Sequence, residues 1–349
     1  MKKRLLSALL TLLLLVSLCP AASAAYKDVP STCWSYADIT EATRAGIFTG
    51  KSSTHFDRKS NITRAEFATA LCRLFGWEMI APEAATYADC EPTRWFYSAV
   101  ETAHANGALP TYATTFRPKD YITREEMASM LIRALGYSAL AGKMSAAQLP
   151  FTDISSNRGY IAVAYDMGII NGTTATTFAP KENASREQAA VMLMRVYRKL
   201  HAESVEVSAA AADYIPVHIS SPAPHAATAI PSTPLEPMEE MYKILHAYKA
   251  AGTDMTKLSL ILTAGGIATT TQGSKIASSN TISRAEVEEL LSADNTATYY
   301  SEQYQSAYLT RGNLTVWYQS EESLSAKLQL ARLFGINHYI LQDVEIPAE

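Results

Sequence analysis

Long apolar runs, cysteine and charge are all scarce in this chain of 349 residues, and each scarcity excludes something. Beyond residue 18 no stretch is apolar enough to span a bilayer, which takes about 20 consecutive apolar residues. The formal net charge is −4 and charged residues make up only 18%, so the chain as a whole sets up no strong field for a polyanion. No nucleic-acid partner is expected. Of the four cysteines, Cys33, Cys72 and Cys90 remain once Cys19 is assigned to a leader. An odd number cannot form a fully paired framework, and without a Cys-x-x-Cys spacing no zinc site is expected. These cysteines are read as free or buried thiols, or as one disulfide joining Cys33 to Cys72 or Cys90. The seven histidines are scattered without ligand spacing, so no metal site follows. No Gly-x-Ser-x-Gly elbow occurs. The stretch Gly46-Ile47-Phe48-Thr49-Gly50-Lys51-Ser52 is one residue short of a phosphate loop, and no buried strand precedes it. No cofactor is implied.

What is present begins with the N-terminus. Lys2-Lys3-Arg4 is a basic start, residues 5–18 are apolar, and Ala22-Ser23-Ala24 fits a cleavage site. Residues 1–25 therefore read as a secretory signal peptide. Leu18, not a small residue, precedes Cys19, which argues against a lipoprotein anchor.

A five-residue pattern then recurs at a period of about sixty residues. It reads Ile62-Thr63-Arg64-Ala65-Glu66, Ile122-Thr123-Arg124-Glu125-Glu126 and Ala184-Ser185-Arg186-Glu187-Gln188. Each copy follows the same order of parts. An aromatic-x-Asp start comes first, at Tyr26-Lys27-Asp28, Tyr87-Ala88-Asp89 and Phe151-Thr152-Asp153. Trp34 and Trp95 stand six residues after the Asp, where the third copy has Gly159. A short helix is expected next, over 36–44 in the first copy, ending at Gly46, Gly107 or Gly168 as helices often end on glycine. Then come Phe56, Phe116 and Phe178, with Pro118 and Pro180 two residues on. After each Arg, apolar residues at offsets of three, seven and ten mark one face of a second helix. They are Phe67, Leu71 and Leu74; Met127, Leu131 and Ala134; Ala189, Leu193 and Val196. A helix-loop-helix unit of this size cannot bury its own core, so the three must pack on one another.

Thr63-x-x-Glu66, Thr123-x-x-Glu126 and Ser185-x-x-Gln188 are capping boxes, which explains the hydroxyl and the acid or amide. They do not explain Arg64, Arg124 and Arg186, cations in a first helical turn that the dipole disfavours. Two readings stand. An Arg fork beside unpaired N–H groups suits a carboxylate or phosphate ligand, or each Arg pairs with a neighbouring acid.

These units resemble bacterial S-layer homology repeats, over about residues 26–200. The resemblance implies a mainly α, pseudo-three-fold prism of three helix-loop-helix units, at 26–80, 84–140 and 148–200. It also implies binding of secondary cell-wall polysaccharide, often pyruvylated, in grooves between repeats. Trp34, Trp95, Arg64, Arg124, Arg186, Gly50 and Gly172 would line those grooves. A pyruvyl ketal carries a carboxylate that suits Arg, and a sugar face suits Trp. The third copy lacks the Trp, and the second has Ala108-Leu109-Pro110 where the others have Ile and Gly, so the grooves are expected to be unequal.

Residues 201–237 read by composition as a linker, with a strand candidate at 214–219. From 238 a small α/β region is expected, with helices over 238–250, 283–291 and 323–334. Strands are expected over 257–262, 314–318 and 338–341, the last two joined by a helix as in a parallel arrangement. Ser283-Arg284-Ala285-Glu286 is read as a coincidental echo of the repeat motif. The tail over 238–349 resembles the end of a family-18 (chitinase-like) glycoside hydrolase, and so part of a TIM barrel, through Thr315-Val316-Trp317-Tyr318 and 330–336. It lacks that family's Asp-x-x-Asp-x-Asp-x-Glu signature, and a full barrel takes about 250 residues. Glu302, Glu321, Glu322 and Asp343 are the only substitute acids, and they read as solvated surface. The expectation is a secreted, non-enzymatic protein of the wall of a bacterium with a Gram-positive-type envelope, with peptidoglycan as a further contact. The competing reading is a wall or spore-cortex glycosidase with an atypical site in the tail.

Overall fold

The computed structural model describes residues 26–208, 213–219, 234–273, 275–302 and 304–343. The leader read at 1–25 lies outside the described residues. The chain divides into two compact units, Met1–Leu135 with Ala179–Met194, and Gly136–Phe178 with Arg195–Glu349. The first part of the third repeat thus falls in the second unit.

The repeats supply helices α1 (Tyr36–Arg44), α2 (Arg64–Phe75), α3 (Tyr97–Ala105), α4 (Arg124–Ala134), α5 (Ser138–Lys143), α6 (Arg158–Asp166) and α7 (Arg186–Leu200). The first helix of each repeat is followed by a glycine in the left-handed region: Gly46 and Gly107 at φ 72° and Gly168 at φ 66°. The residues expected on the inner face of the second helices are buried, except half-buried Ala134. Both halves of the capping box form at Thr63/Glu66 and Thr123/Glu126. Ser185 and Gln188 exchange the same two hydrogen bonds.

In the first unit the three motifs hydrogen-bond in a ring. The Ile62 N–H donates to the Ala184 carbonyl, Ala184 to Ile122, and Ile122 to Ile62, at 2.9–3.0 Å. One step on, the N–H groups of Arg64, Arg124 and Arg186 donate to the carbonyls of Asp120, Glu182 and Ser60. Those of Ala65, Glu125 and Glu187 donate to Pro118, Pro180 and Arg58. The first-turn donors that a helix leaves without partners are therefore taken up by loop carbonyls of another repeat. This corrects the expectation of unpaired N–H groups beside each Arg: the third donor serves the cap and the first two serve the ring.

The second unit carries two sheets. Strands β1 (Val205–Glu206), β2 (Ile215–His218), β3 (Leu258–Thr263) and β9 (His338–Gln342) form a parallel sheet in the order β1-β9-β3-β2. Strands β4 (Gly266–Gln272), β5 (Lys275–Ile282), β6 (Ala297–Ser301), β7 (Ser306–Arg311) and β8 (Leu314–Tyr318) form an antiparallel sheet in the order β5-β4-β8-β7-β6. Helices α8 (Met238–Ala250), α9 (Arg284–Ser292) and α10 (Glu321–Phe334) complete the unit. Tyr242 of α8 and Phe334 of α10 meet edge to face at 5.6 Å. Val287 of α9 packs with Leu309 and Val316 on one face of the antiparallel sheet.

Two expectations change here. The segment read as a linker at 201–237 contributes β2, inside the strand candidate at 214–219, and also β1, which its composition does not advertise and which parallel pairing to β9 supplies with partners. Strands β8 and β9 do not share a sheet: β8 pairs antiparallel with β4 and β7, while β9 pairs parallel with β3.

Candidate functional site

The aromatic-x-Asp start of each repeat builds the site from below. Asp28 accepts hydrogen bonds from the backbone N–H groups of Phe56, Asp57 and Arg58 at 2.7–3.1 Å. Asp89 does the same for Phe116 and Arg117, and Asp153 accepts from Phe178. The clamped turns hold Asp57, Arg117 and Ala179 at φ 64°, 58° and 59°, a region that costs a non-glycine residue free energy. Burial pushes the Asp28 carboxyl up, but the three N–H donors outweigh it and leave its pKa below 3.8.

The clamped turns present carbonyls to the recurrent arginines. Arg64 donates from Nε to the Phe116 carbonyl at 2.8 Å, and Arg186 from Nε to the Phe56 carbonyl at 3.0 Å. Each guanidinium lies over the ring of that same phenylalanine, 4.9 and 4.7 Å from its centroid. Both side chains are buried, Arg64 at 7% and Arg186 at 4% exposure. Their acidic neighbours are the capping glutamates of another repeat, and the two cases differ. Arg64 sits 2.7 Å from Glu126, which Arg117 also engages. Arg186 is 3.7 Å from Glu66, which is engaged instead by Lys51, and Arg186 also donates to the Thr49 carbonyl at 2.8 Å. Burial pulls the pKa of Arg186 down, against Glu66 and Asp57. Burial raises Glu66, and Lys51, the Thr63 N–H and Arg186 together bring it below 4.5.

At this second arginine a cavity of about 250 Å³ opens, lined among others by Phe48, Gly50, Lys51, Glu66, Trp95 and Arg186. Arg73 completes its charge: three cationic side chains stand against one carboxylate. Trp95 is 68% exposed, so its ring is available to a ligand. Gly50 is required there, because a Cβ would lie 2.5 Å from Cε1 of Tyr26 and 2.5 Å from the Ser52 carbonyl oxygen. Its N–H donates to the Tyr26 hydroxyl at 2.9 Å.

Of the residues singled out from sequence, Gly50, Trp95 and Arg186 share this cavity, although they come from three different repeats. Arg64 is committed to Phe116 and Glu126. Trp34 is 61% exposed and does not line the cavity. Half-buried Arg124 does not line it either. Gly172 belongs to the second unit, where a Cβ would meet Cε1 of Phe151 at 2.5 Å, the counterpart of Gly50 and Tyr26. The missing third tryptophan has a physical reason: a Cβ on Gly159 would stand 1.8 Å from the Ala141 carbonyl oxygen of α5. Sequence reasoning passed over Lys51 and assigned Glu66 to capping alone. The available signal was the placement of Lys51 directly after Gly50.

Cys33, Cys72 and Cys90 are free thiols. Burial pushes Cys72 and Cys90 up to about 12. In the tail Glu302, Glu321, Glu322 and Asp343 all occupy exposed positions. Asp343 accepts from the N–H of Arg284 at 2.9 Å.

Comparison with known proteins agrees with the repeat reading. Residues 25–68, 86–128 and 150–190 match the S-layer homology domain, in three copies. An endoglucanase of Bacillus sp. (strain KSM-635) is 30% identical over 214 residues, covering 57% of this chain and 22% of the relative. An S-layer protein of Bacillus thuringiensis subsp. finitimus is 24% identical over 200 residues, covering 56% of this chain and 24% of the relative. The chain thus spans about a quarter or less of the length of these relatives. Among solved structures, the spore cortex-lytic enzyme SleL of Bacillus cereus is similar with a TM-score of 0.31 and 14% identity, over 39% of this chain and 32% of that one. A GH18 chitinase of Cycas revoluta reaches a TM-score of 0.26 at 19% identity, over 28% of this chain and 31% of that one. Scores at this level set no fold for the tail as a whole.

Proposed function

We propose that this protein is a secreted cell-envelope protein held non-covalently on secondary wall polysaccharide through its three S-layer homology domains. Its place would be the surface of a bacterium with a Gram-positive-type envelope. The observation that carries the reading is the cavity at Arg186. A cationic lining of Lys51, Arg73 and Arg186 favours an anionic ligand, and exposed Trp95 offers a flat face to a sugar ring. A pyruvylated saccharide combines the two. The ring of backbone hydrogen bonds supports the three-fold prism as the frame of this site, and the S-layer proteins among the relatives support the cell-surface setting. The other predicted grooves, around Trp34, Arg64, Arg124 and Gly172, belong to the same proposal, with Arg64 weakened as a ligand by its pairing to Glu126.

The runner-up, a wall or spore-cortex glycosidase with peptidoglycan as substrate, draws on the hydrolase names among the relatives. It needs two carboxylates roughly 5–10 Å apart across a cleft. Co-sedimentation of the protein with purified sacculi, before and after stripping of the secondary polymer, separates the readings. Binding should be lost on stripping. Retained binding, with release of sugar from stripped sacculi, would reject the anchor in favour of the hydrolase.

A further inference from the structure

The first helices of the three repeats end on different residues, and one of the three is hidden. Arg44 closes α1 and Ala105 closes α3, both at exposed positions. Asp166 closes α6 at the same place, before the left-handed Gly168, and is 7% exposed. An acid there is unfavourable on two counts. The helix dipole puts partial negative charge at that end, and burial penalises a carboxylate that lacks partners.

The side-chain partners of Asp166 among the described residues come from α8 of the tail. The Tyr242 hydroxyl donates to Oδ2 of Asp166, and Nδ1 of His246 lies 3.0 Å from the same oxygen. Burial first, and Asp166 second, push the Tyr242 hydroxyl above its ordinary range, so it keeps its proton and donates. Nζ of Lys249 donates to the Asp166 carbonyl, and a Cβ on Gly168 would stand 3.6 Å from that Nζ. Tyr242, His246 and Lys249 are spaced four and three apart, so one face of α8 carries the whole set. Other joints run between the same partners. Lys143 of α5 pairs with Glu239 of α8, and Gln329 of α10 donates to the Tyr137 hydroxyl at 3.2 Å. Lys199 of α7 donates to the Leu333 carbonyl of α10 at 2.8 Å.

We propose that α8 is a dock for the third repeat, latched at Asp166, through which the tail sets the conformation of the loop Gly168–Gly172. That loop is the counterpart of the stretch whose Ile47, Phe48, Thr49 and Gly50 line the cavity at Arg186. The compact unit that contains the tail also contains residues 136–178, as such a dock requires. The tail is then a structural partner of the repeats, not cargo that they carry. This docking is independent of what the repeats bind, because it concerns how the third repeat is held.

Hydrogen exchange of the full chain, read by mass spectrometry, tests the dock, since local opening is reported segment by segment. Tyr242→Phe removes the hydroxyl and keeps the ring that meets Phe334. Lys249→Met removes the donor to the Asp166 carbonyl and keeps an apolar stem. Each should speed exchange over 158–172 about tenfold, the scale of one lost buried hydrogen bond. The matching segments of the other repeats, 36–50 and 97–111, should keep the parent's rates. Asp166→Ala should exceed either variant, and Asp166→Asn, which keeps an acceptor for Tyr242, should recover part of the protection. Unchanged exchange over 158–172 in Tyr242→Phe and Lys249→Met would overturn the dock, whether or not Asp166→Ala folds. Equal acceleration in all three matching segments would overturn it too, as a general loss of stability.

Discussion

Trp95 and the two buried arginines differ at the level of single residues in what the fold asks of them and what it leaves for the proposed ligand. Trp95 is mostly exposed, so Trp95→Ala should change stability by no more than about 0.5 kcal/mol while lowering affinity for unstripped sacculi. Denaturant unfolding and co-sedimentation, run in parallel, would separate those effects. Equal loss of both would mean that the ring packs in the fold. Arg64 and Arg186 occupy equivalent positions but differ in what they are free to do. Arg64→Ala removes a buried donor to the Phe116 carbonyl and strips Glu126 of a close partner. It should destabilise the chain by about 1.5–3 kcal/mol, the range for hydrogen bonds to charged groups. Arg186→Ala should also weaken wall binding, and Arg186→Lys should restore only part of it, since a lysine keeps the charge but not the fork. An Arg64→Ala variant as stable as the parent would show that its ion pair is worth nothing in solution.

At the scale of elements, the turn that follows each loop phenylalanine is held by a carboxylate, and this makes the repeats sensitive to acid. Asp28, Glu66 and Glu126 all have folded pKa values below their ordinary values of 3.8 and 4.5. For Glu126, burial acts upward, and Arg64 and the Thr123 N–H act downward and prevail. Depressed carboxylates stabilise the fold in their ionised form. That contribution is complete above about pH 5 and fades as pH falls through the folded values. Urea midpoints should therefore stay level from about pH 7 to 5 and fall below about pH 4. Asp28→Asn should start from a lower midpoint and fall less steeply; a curve parallel to the parent's would remove Asp28 from the account. The second helices were legible in the sequence because offsets of three, seven and ten repeat in three copies. Strands β4 to β7 were not. In β4 and β5 Thr269, Thr270, Thr271, Ser278 and Ser279 leave little apolar alternation to read, and cross-strand pairing sets their register.

For the molecule as a whole, the ring of hydrogen bonds makes the repeats interdependent. Each motif gives its N–H to one partner and its carbonyl to the other. Deleting residues 84–140 would leave the Ile62 carbonyl and the N–H groups of Arg64 and Ala65 without acceptors or donors. The shortened chain should lose cooperative thermal unfolding of its remaining repeats, read by far-UV circular dichroism, instead of keeping two-thirds of the signal in a sharp transition. Two intact repeats with an unchanged midpoint would mean that the ring is decorative.

The sequence by itself determined the repeat, its capping boxes, its helix faces and the residue types of the site, because these rest on short-range periodicity and on local hydrogen bonding. Tertiary structure decided what local spacing cannot carry. Gly50, Trp95 and Arg186 belong to different repeats, and only the backbone exchange brings them to one cavity. What separates the two arginines is a tertiary distance: Arg64 stands 2.7 Å from the capping Glu126 of another repeat, whereas Arg186 stands 3.7 Å from Glu66, although each glutamate is also engaged by a second cation, Arg117 or Lys51. Strands β1 and β2 likewise joined the parallel sheet through partners more than a hundred and about forty residues away, respectively. Contacts at such separation leave no periodic trace in the chain, and only packing selects among them.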